Sequence, residues 1–250
     1  MLEVSGITQI FGGVTALKDV SFKVNKGEIT GVIGPNGAGK TTLFNIITGI
    51  YRQTSGRVLL EGDDISALPP EQLARRNMVR TFQNIELFGQ MTVLENVMVG
   101  LHTKSRSGML SCAFKMPWAM AEERRIRASA LKWLEFVGIT ELADVTAGNL
   151  PFGKGRGLEI ARALAMEPKI MLMDEPAAGL NSQETWQLSQ LIQRIRDLGI
   201  TVVLVEHDME LVMEICDRIV VLNLGEKLAE GTPREIQENQ AVVAAYLGGE

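Results

Sequence analysis

Long uncharged apolar runs are missing from this sequence, and none approaches the ~20 residues that a membrane span requires. The opening "MLEVSGITQIF" lacks the basic-then-apolar order of a secretory leader, so the chain reads as soluble by itself. Cysteine is scarce: Cys112 and Cys216 are the two present, without metal-ligand or CxxC spacing. That excludes a disulfide framework, makes a reducing compartment the expected setting and leaves both as ordinary buried or half-buried residues. Positive charge is not in excess either. With 25 Lys and Arg against 30 Asp and Glu, the net charge of -5 argues against a partner held through nucleic-acid phosphates. There is no internal repeat and no low-complexity linker.

What is present suits one large α/β domain with an inserted subdomain, since 250 residues bury a sizeable core without staples. "SFKV", the turn "NKGE" and "ITGVIG" alternate strand and turn, and "TTLFNIITGI" follows as an apolar helix. Further along, "KIMLMD", "TVVLVEH" and "RIVVLN" are continuous β-rich apolar runs separated by helical patterns. Such runs predict strands buried on both faces of a mainly parallel sheet. From about Ile85 to Gly148 no strong strand is visible, and "MAEERRIRASALKWLEFVG" carries apolar residues at helical spacing with "EERRIR" as its solvated face. The methionine-rich "GMLSCAFKMPWAM" at Gly108 to Met120, broken by Lys115 and Pro117, is expected as subdomain core or loop, with a membrane-facing or partner-facing surface as the alternative.

The strongest chemical signal is "GPNGAGKTT". Gly34, Gly39, Lys40 and Thr41 fit G-x-x-x-x-G-K-[ST] between a strand and a helix, the context in which this pattern cradles phosphates. Around them Pro35, Asn36, Gly37, Ala38 and Thr42 complete the loop. Backbone N–H groups close on phosphate oxygens, Lys40 brings a point charge to the β- and γ-phosphates, and the Thr41 hydroxyl is offered to Mg²⁺. A nucleoside triphosphate is the expected ligand. Downstream, "KIMLMDEP" delivers Asp174 and Glu175 to the C-terminal end of a strand, where open α/β sheets place ligands. Asp174 there can hold Mg²⁺ through water and Glu175 can act as general base toward an attacking water; capping of the next turn is the plainer alternative. A second glycine-rich helix start, "NLPFGKGRGLEIARAL" from Asn149, has the exposed N–H groups and dipole end of an anion site but no lysine pattern of a phosphate loop.

Taken together, "GPNGAGKTT", Gln83 in "VRTFQN", "LPFGKGRGLEIARAL", "IMLMDEPAAGLN" and His207 in "VLVEHD" resemble an ATP-binding cassette (ABC) ATPase over essentially the whole chain. "FGGVTALKDVSF", "EPAAGLN" and "AAYLGG" are most similar to the ATPase subunits of branched-chain amino acid importers. The resemblance implies a phosphate-loop NTPase core with an N-terminal antiparallel β subdomain, formed by residues 1–84 and 156–250, and a helical signature subdomain at 85–155, all one nucleotide-binding domain over 1–250. It implies that two such domains dimerise head to tail. The signature of Leu150, Pro151, Phe152, Gly153 and Lys154 then completes the partner's ATP site. It further implies adenine stacking by Phe11, contact of Gln83 with Mg²⁺ and the attacking water, and contact of His207 with the γ-phosphate; Phe11 as a packed strand residue is the alternative. Asn181 falls where the family often has aspartate in the loop crossing the dimer interface. His102 matches no role. "QNIELF", with Leu87 and Phe88 exposed, falls where the family receives a coupling helix, unless both residues pack the helical subdomain.

Two departures stand out. Where the family commonly has L-S-G-G-Q, Pro151 cannot donate the serine's hydrogen bond, worth about 1.5–3 kcal/mol to a charged acceptor, while Lys154 adds a positive charge; the partner site it completes is expected to be weaker or differently tuned, unless Gly153 and the backbone amides suffice. Proline does suit a first helical turn. Gly155 and Gly157 each cost a helix interior about 1 kcal/mol relative to alanine. The implied function is the ATP-binding motor of an ABC importer for branched-chain or other hydrophobic amino acids, at the cytoplasmic face of the inner (plasma) membrane. Its implied partners are a second ATP-binding subunit, two permeases and, indirectly, an external substrate-binding protein, with no nucleic acid. The alternatives are a phosphate-loop small-molecule kinase, which leaves Gln83, the signature and His207 unexplained, and a soluble non-transport ABC ATPase acting on nucleic acid or ribosomes.

Overall fold

The computed structural model describes residues 1–102 and 117–247. Cys112 and the methionine-rich stretch as far as residue 116 lie outside them. The chain divides into two compact units, Met1–Gln83 with Lys169–Glu250, and Asn84–Pro168.

The first unit contains two sheets. β1 (Leu2–Phe11) and β2 (Val14–Val24) pair antiparallel, and β4 (Ser55–Leu60) and β5 (Asp63–Asp64) extend that sheet in the order β2-β1-β4-β5. The second sheet runs β10-β9-β3-β8-β7-β6. In it β3 (Ile29–Ile33), β6 (Met78–Thr81), β7 (Ile170–Asp174), β8 (Thr201–Val205) and β9 (Arg218–Asn223) are parallel, and β10 (Glu226–Gly231) closes one edge antiparallel. Every residue of β3, β7 and β8 is buried, which is why "ITGVI", "IMLMD" and "TVVLV" read as unbroken rather than alternating. The helices α1 (Lys40–Ile47), α2 (Pro70–Arg75), α6 (Ser182–Asp197), α7 (Met209–Ile215), α8 (Pro233–Gln237) and α9 (Gln240–Leu247) also belong to this unit. Burying each Val, Leu, Ile or Phe contributes about 1.5–3 kcal/mol, and Leu43, Phe44 and Ile47 of α1 share one apolar cluster with Val32 of β3 and Leu172 of β7. The helix that follows the phosphate loop is thus anchored to the strands that carry the rest of the site.

The second unit holds α3 (Val93–His102), α4 (Pro117–Val137) and α5 (Phe152–Ala165), with Leu94, Val97, Ala130, Leu134, Leu158 and Ala161 in a common core. As expected from "EERRIR", Ile126 turns inward while Arg124, Arg125 and Arg127 are exposed. The expected end of this unit at residue 155 falls inside α5; the compact unit runs to Pro168, because Leu158, Ala161 and Ala165 of the same helix complete its core. Leu87 also differs from its expectation. It is half-buried against this core, whereas Phe88 is exposed.

The two helix glycines have room for a side chain. A Cβ on Gly155 would stand 3.6 Å from Ile85 and 3.7 Å from Leu87, and one on Gly157 no closer than 4.0 Å to Ile139. Steric need therefore does not select glycine at either position. Gly157→Ala should stabilise the protein by about 0.5–1 kcal/mol through helix propensity and unfolded-state entropy, read as a rise in the urea midpoint; a fall would show that glycine is required by something other than space.

Candidate functional site

The loop between β3 and α1 is shaped by two close approaches. A Cβ on Gly34 would lie 2.1 Å from the Leu222 carbonyl oxygen, and one on Gly39 2.8 Å from that of Ala16. Gly39 also has φ of 99° as the N-cap of α1, a left-handed conformation that glycine adopts without steric cost. With no side-chain cap at that terminus, the first N–H groups of α1 are left for a ligand. A cavity of about 450 Å³ opens here, lined by Asn36 through Thr42, by Val14, Thr15 and Ala16 of β2, by Glu175, and by Leu224 and Gly225 of the β9–β10 turn.

Lys40 is buried, its ammonium donating to the carbonyl oxygens of Gly34 (2.6 Å) and Pro35 (3.1 Å). Desolvation pushes its pKa down, and the carboxylates of Glu175 and Asp174 oppose that shift. Thr41 is exposed at the cavity.

Asp174 ends β7, and Glu175 follows in a left-handed conformation with φ of 44°, an arrangement that costs a non-glycine residue on the order of 1–3 kcal/mol. Hydrogen bonds from the Glu175 N–H to the Val205 carbonyl (2.9 Å) and from the Ala178 N–H to the Glu175 carbonyl (3.1 Å) hold it there. Its carboxylate oxygen Oε2 accepts from the Gln83 amide nitrogen at 2.7 Å and lies 3.8 Å from His207 Nδ1. Gln83, Glu175 and His207, at three separate places in the sequence, therefore converge on one oxygen. Asp174 is placed differently: its Oδ2 accepts from Arg80 Nη2 at 2.5 Å, and both side chains are buried.

Phe11 is not in the lining of the phosphate-loop cavity. It is 43% exposed and packs edge-on against Tyr51 with ring centroids 5.5 Å apart, so the packed-core alternative does not describe it. Asn181 has a structural occupation: its side chain accepts from the Glu184 N–H and its own N–H donates to the Glu184 carboxylate, a capping box at the start of α6. In the second unit α5 begins at Phe152, with Pro151 as its N-cap and no side-chain cap. Leu150 is half-buried, Gly153 is partly buried, and Pro151, Phe152 and Lys154 are exposed. The Lys154 ammonium reaches the Gly138 carbonyl at 3.5 Å. Arg162 of the same helix donates to the Glu86 carbonyl and lies over the Phe88 ring.

Sequence reasoning missed Arg80, Glu206 and the cavity-lining residues Val14 and Leu224. Leu224 is 86% exposed at a positive φ of 48°, which only a structure reveals. Glu206 reads as one more carboxylate beside a histidine, yet it is wholly buried. Its oxygens accept from the N–H groups of Ala177 (2.8 Å), His207 (3.0 Å) and Asp208 (3.4 Å), which ties the loop after Glu175 to the loop of His207. Burial pushes its pKa above the ordinary 4.5, outweighing those three donors. The folded carboxyl keeps its proton to higher pH than the unfolded one, so stability should fall as pH rises through the window above 4.5. Glu206→Gln should flatten that part of the profile in thermal unfolding; a slope identical to the wild type would assign it to other groups.

Comparison with known proteins identifies the family. The ABC transporter family matches residues 17–178, and the branched-chain amino acid ATP-binding cassette transporter family matches residues 226–250. The high-affinity branched-chain amino acid transport ATP-binding protein BraF of Pseudomonas aeruginosa is 48% identical over 249 residues, covering 99% of this chain and 98% of that protein. The corresponding protein LivG of Escherichia coli K12 is 45% identical with the same coverage. A crystal structure of an ATP-binding cassette of an ABC transporter in its ADP conformation superposes with a TM-score of 0.86 at 36% identity, covering 100% of this chain and 99% of that one. A dimeric structure of a bacterial ABC transporter cassette gives 0.79 at 30% identity, covering 94% and 99%. Among the described residues no helix is long and apolar enough to cross a membrane. The chain belongs to the ABC transporter ATPases, in the branch of the branched-chain amino acid transport ATP-binding proteins.

Proposed function

We propose that this chain is the motor subunit of an importer, coupling ATP binding and hydrolysis to uptake of branched-chain or other hydrophobic amino acids. The observation that carries the hydrolytic part is the convergence of Gln83 and His207 on Glu175 Oε2, beside a cavity that Lys40 and Thr41 line. The cargo follows from near-half identity, end to end, with proteins named for branched-chain amino acid transport.

In this reading the loop from Gly34 to Thr42 binds the phosphates, with Lys40 exchanging its two carbonyl partners for phosphate oxygens. Glu175 takes the proton of the attacking water, Gln83 orients that water, and His207 faces the γ-phosphate. Phe11, with Tyr51 behind it, offers a ring face to adenine. The oxygen donors Thr41, Asp174 and Gln83 suit Mg²⁺, and among the described residues no cluster of three acidic, histidine or cysteine side chains holds a metal by itself. Thr41, Asp174 and Gln83 would hold the ion together with oxygens of the nucleotide, the usual pattern for Mg²⁺. When bound, Mg²⁺ supplies charge neutralisation across the β- and γ-phosphates.

The signature from Leu150 to Lys154, which leads into α5 and exposes Pro151, Phe152 and Lys154, completes the ATP site of a second ATP-binding subunit. Pro151 removes a hydroxyl from that half-site, leaving Gly153, the backbone amides and the charge of Lys154 to meet the phosphate. Docking on two permeases at the cytoplasmic face of the membrane, served by an external binding protein, would use the stretch "QNIELF", in which Phe88 is exposed. The test is a mild-detergent purification of the tagged chain from native membranes, with identification of what accompanies it. Two permeases and a second ATPase support the proposal. Recovery without any membrane protein, under conditions that retain other peripheral complexes, would overturn it in favour of a soluble ABC ATPase.

A further inference from the structure

Arg80 is a buried cation paired with Asp174, behind the phosphate-loop cavity rather than in its lining, and none of the roles described above uses it. It lies on β6, beside β7, and its side chain is 7% exposed. Its guanidinium donates to three oxygens: Asp174 Oδ2 (2.5 Å), Asn45 Oδ1 (2.7 Å) and Thr48 Oγ1 (3.0 Å). Phe44 and Phe82 flank it, their ring centroids 5.8 and 5.0 Å from the guanidinium carbon. Asn45 lies in α1 and Thr48 is its C-cap, on the helix that Lys40 begins. One planar fork thus joins the phosphate-loop helix to the end of β7, with donors on two nitrogens fixed in one plane rather than gathered at the single point of a lysine ammonium.

The charge matters as much as the geometry. Left alone, a buried carboxylate such as Asp174 would carry a large desolvation cost. A positive charge at hydrogen-bond distance offsets that cost, and it also weakens the attraction of the same carboxylate for any further cation.

We propose that Arg80 is a positioning residue of the nucleotide site, the resident counter-ion of Asp174, which holds that carboxylate in place and sets the Mg²⁺ concentration the site requires. The inference rests on reading Asp174 as the protein's carboxylate for Mg²⁺. A purely architectural arginine would support folding but leave the Mg²⁺ requirement alone.

The test follows binding of a fluorescent ATP analogue to the full chain as Mg²⁺ is titrated, with an EDTA baseline. Arg80→Gln keeps a donor but removes the charge. Its half-maximal Mg²⁺ concentration should fall about tenfold, read relative to the same variant's own affinity in EDTA. Arg80→Lys, which keeps the charge, should stay within about threefold of wild type. Asp174→Asn should abolish the Mg²⁺ enhancement. A midpoint for Arg80→Gln within twofold of wild type, while Asp174→Asn abolishes the enhancement, overturns the counter-ion role and leaves the reading of Asp174 standing. An enhancement that survives Asp174→Asn removes both. Should Arg80→Gln not fold, the double variant with Asp174→Asn should, since neither buried charge is then left alone; a double variant that also fails to fold overturns the pairing.

Discussion

Replacing Glu175 by Gln should cut ATP hydrolysis by about 10²–10⁴-fold, the usual worth of a positioned general base, while ATP still binds. The substitution keeps the length and shape of the side chain and a carbonyl oxygen able to accept the Gln83 hydrogen bond at 2.7 Å. It leaves the left-handed backbone at φ of 44° as it is, so the change isolates proton acceptance from local strain. His207 does not take over the role in this reading: its Nδ1 stands 3.8 Å from the Glu175 oxygen and 3.8 Å from Glu206 Oε2, a carboxylate that is wholly buried and already accepts three backbone N–H groups. The measurement is single-turnover hydrolysis in the reconstituted transporter, beside equilibrium binding of the same nucleotide. A rate within tenfold of wild type would remove Glu175 from the catalytic role.

Lys40→Met should weaken nucleotide binding by about 10- to 100-fold, as expected for losing a charge-assisted contact of 1.5–3 kcal/mol, without destabilising the empty protein. The second half of the prediction comes from the electrostatics. Burial lowers the Lys40 pKa despite Glu175 and Asp174 nearby, so the folded protein holds this proton less tightly than the unfolded chain does. Its charged form is therefore a net cost to folding at neutral pH, and the contribution of the group to stability improves only as pH rises toward the ordinary 10.5. Methionine fills much the same volume without that cost. Isothermal titration and thermal unfolding on the same samples separate the two effects. A large drop in unfolding temperature would mean that the bonds to the Gly34 and Pro35 carbonyls hold the loop together, and that the affinity loss is indirect.

Much of this site is legible in the amino-acid sequence itself. A phosphate loop is local chemistry: the glycines, Lys40 and Thr41 act through backbone conformations set within a few residues, so the contiguous pattern carries the meaning. The same holds for the buried strands, whose unbroken apolar runs follow from having both faces covered, and for Asp174 and Glu175, whose place at a strand end can be read directly. Family resemblance adds Gln83 and His207 as candidates, residues that mean nothing singly, and the structure brings both to Glu175 Oε2.

What the tertiary structure alone decided is who meets whom across the sheet. The order β3-β8-β7-β6 puts strands side by side that are far apart in the chain, so Arg80 reaches Asp174 across 94 residues and Gln83 reaches Glu175 across 92. No sequence window contains both partners, and a lone arginine on a short strand carries no local sign of an ion pair. Glu206 was hidden for the same reason: its three donors come from two loops that only the neighbouring ends of β7 and β8 bring together. The boundary inside α5 and the inward turn of Leu87 were likewise settled by packing, because a helix belongs to whichever core its far end completes. Residues close in sequence determined the chemistry of binding; the sheet order, which arises from long-range burial, determined how that chemistry is held and tuned.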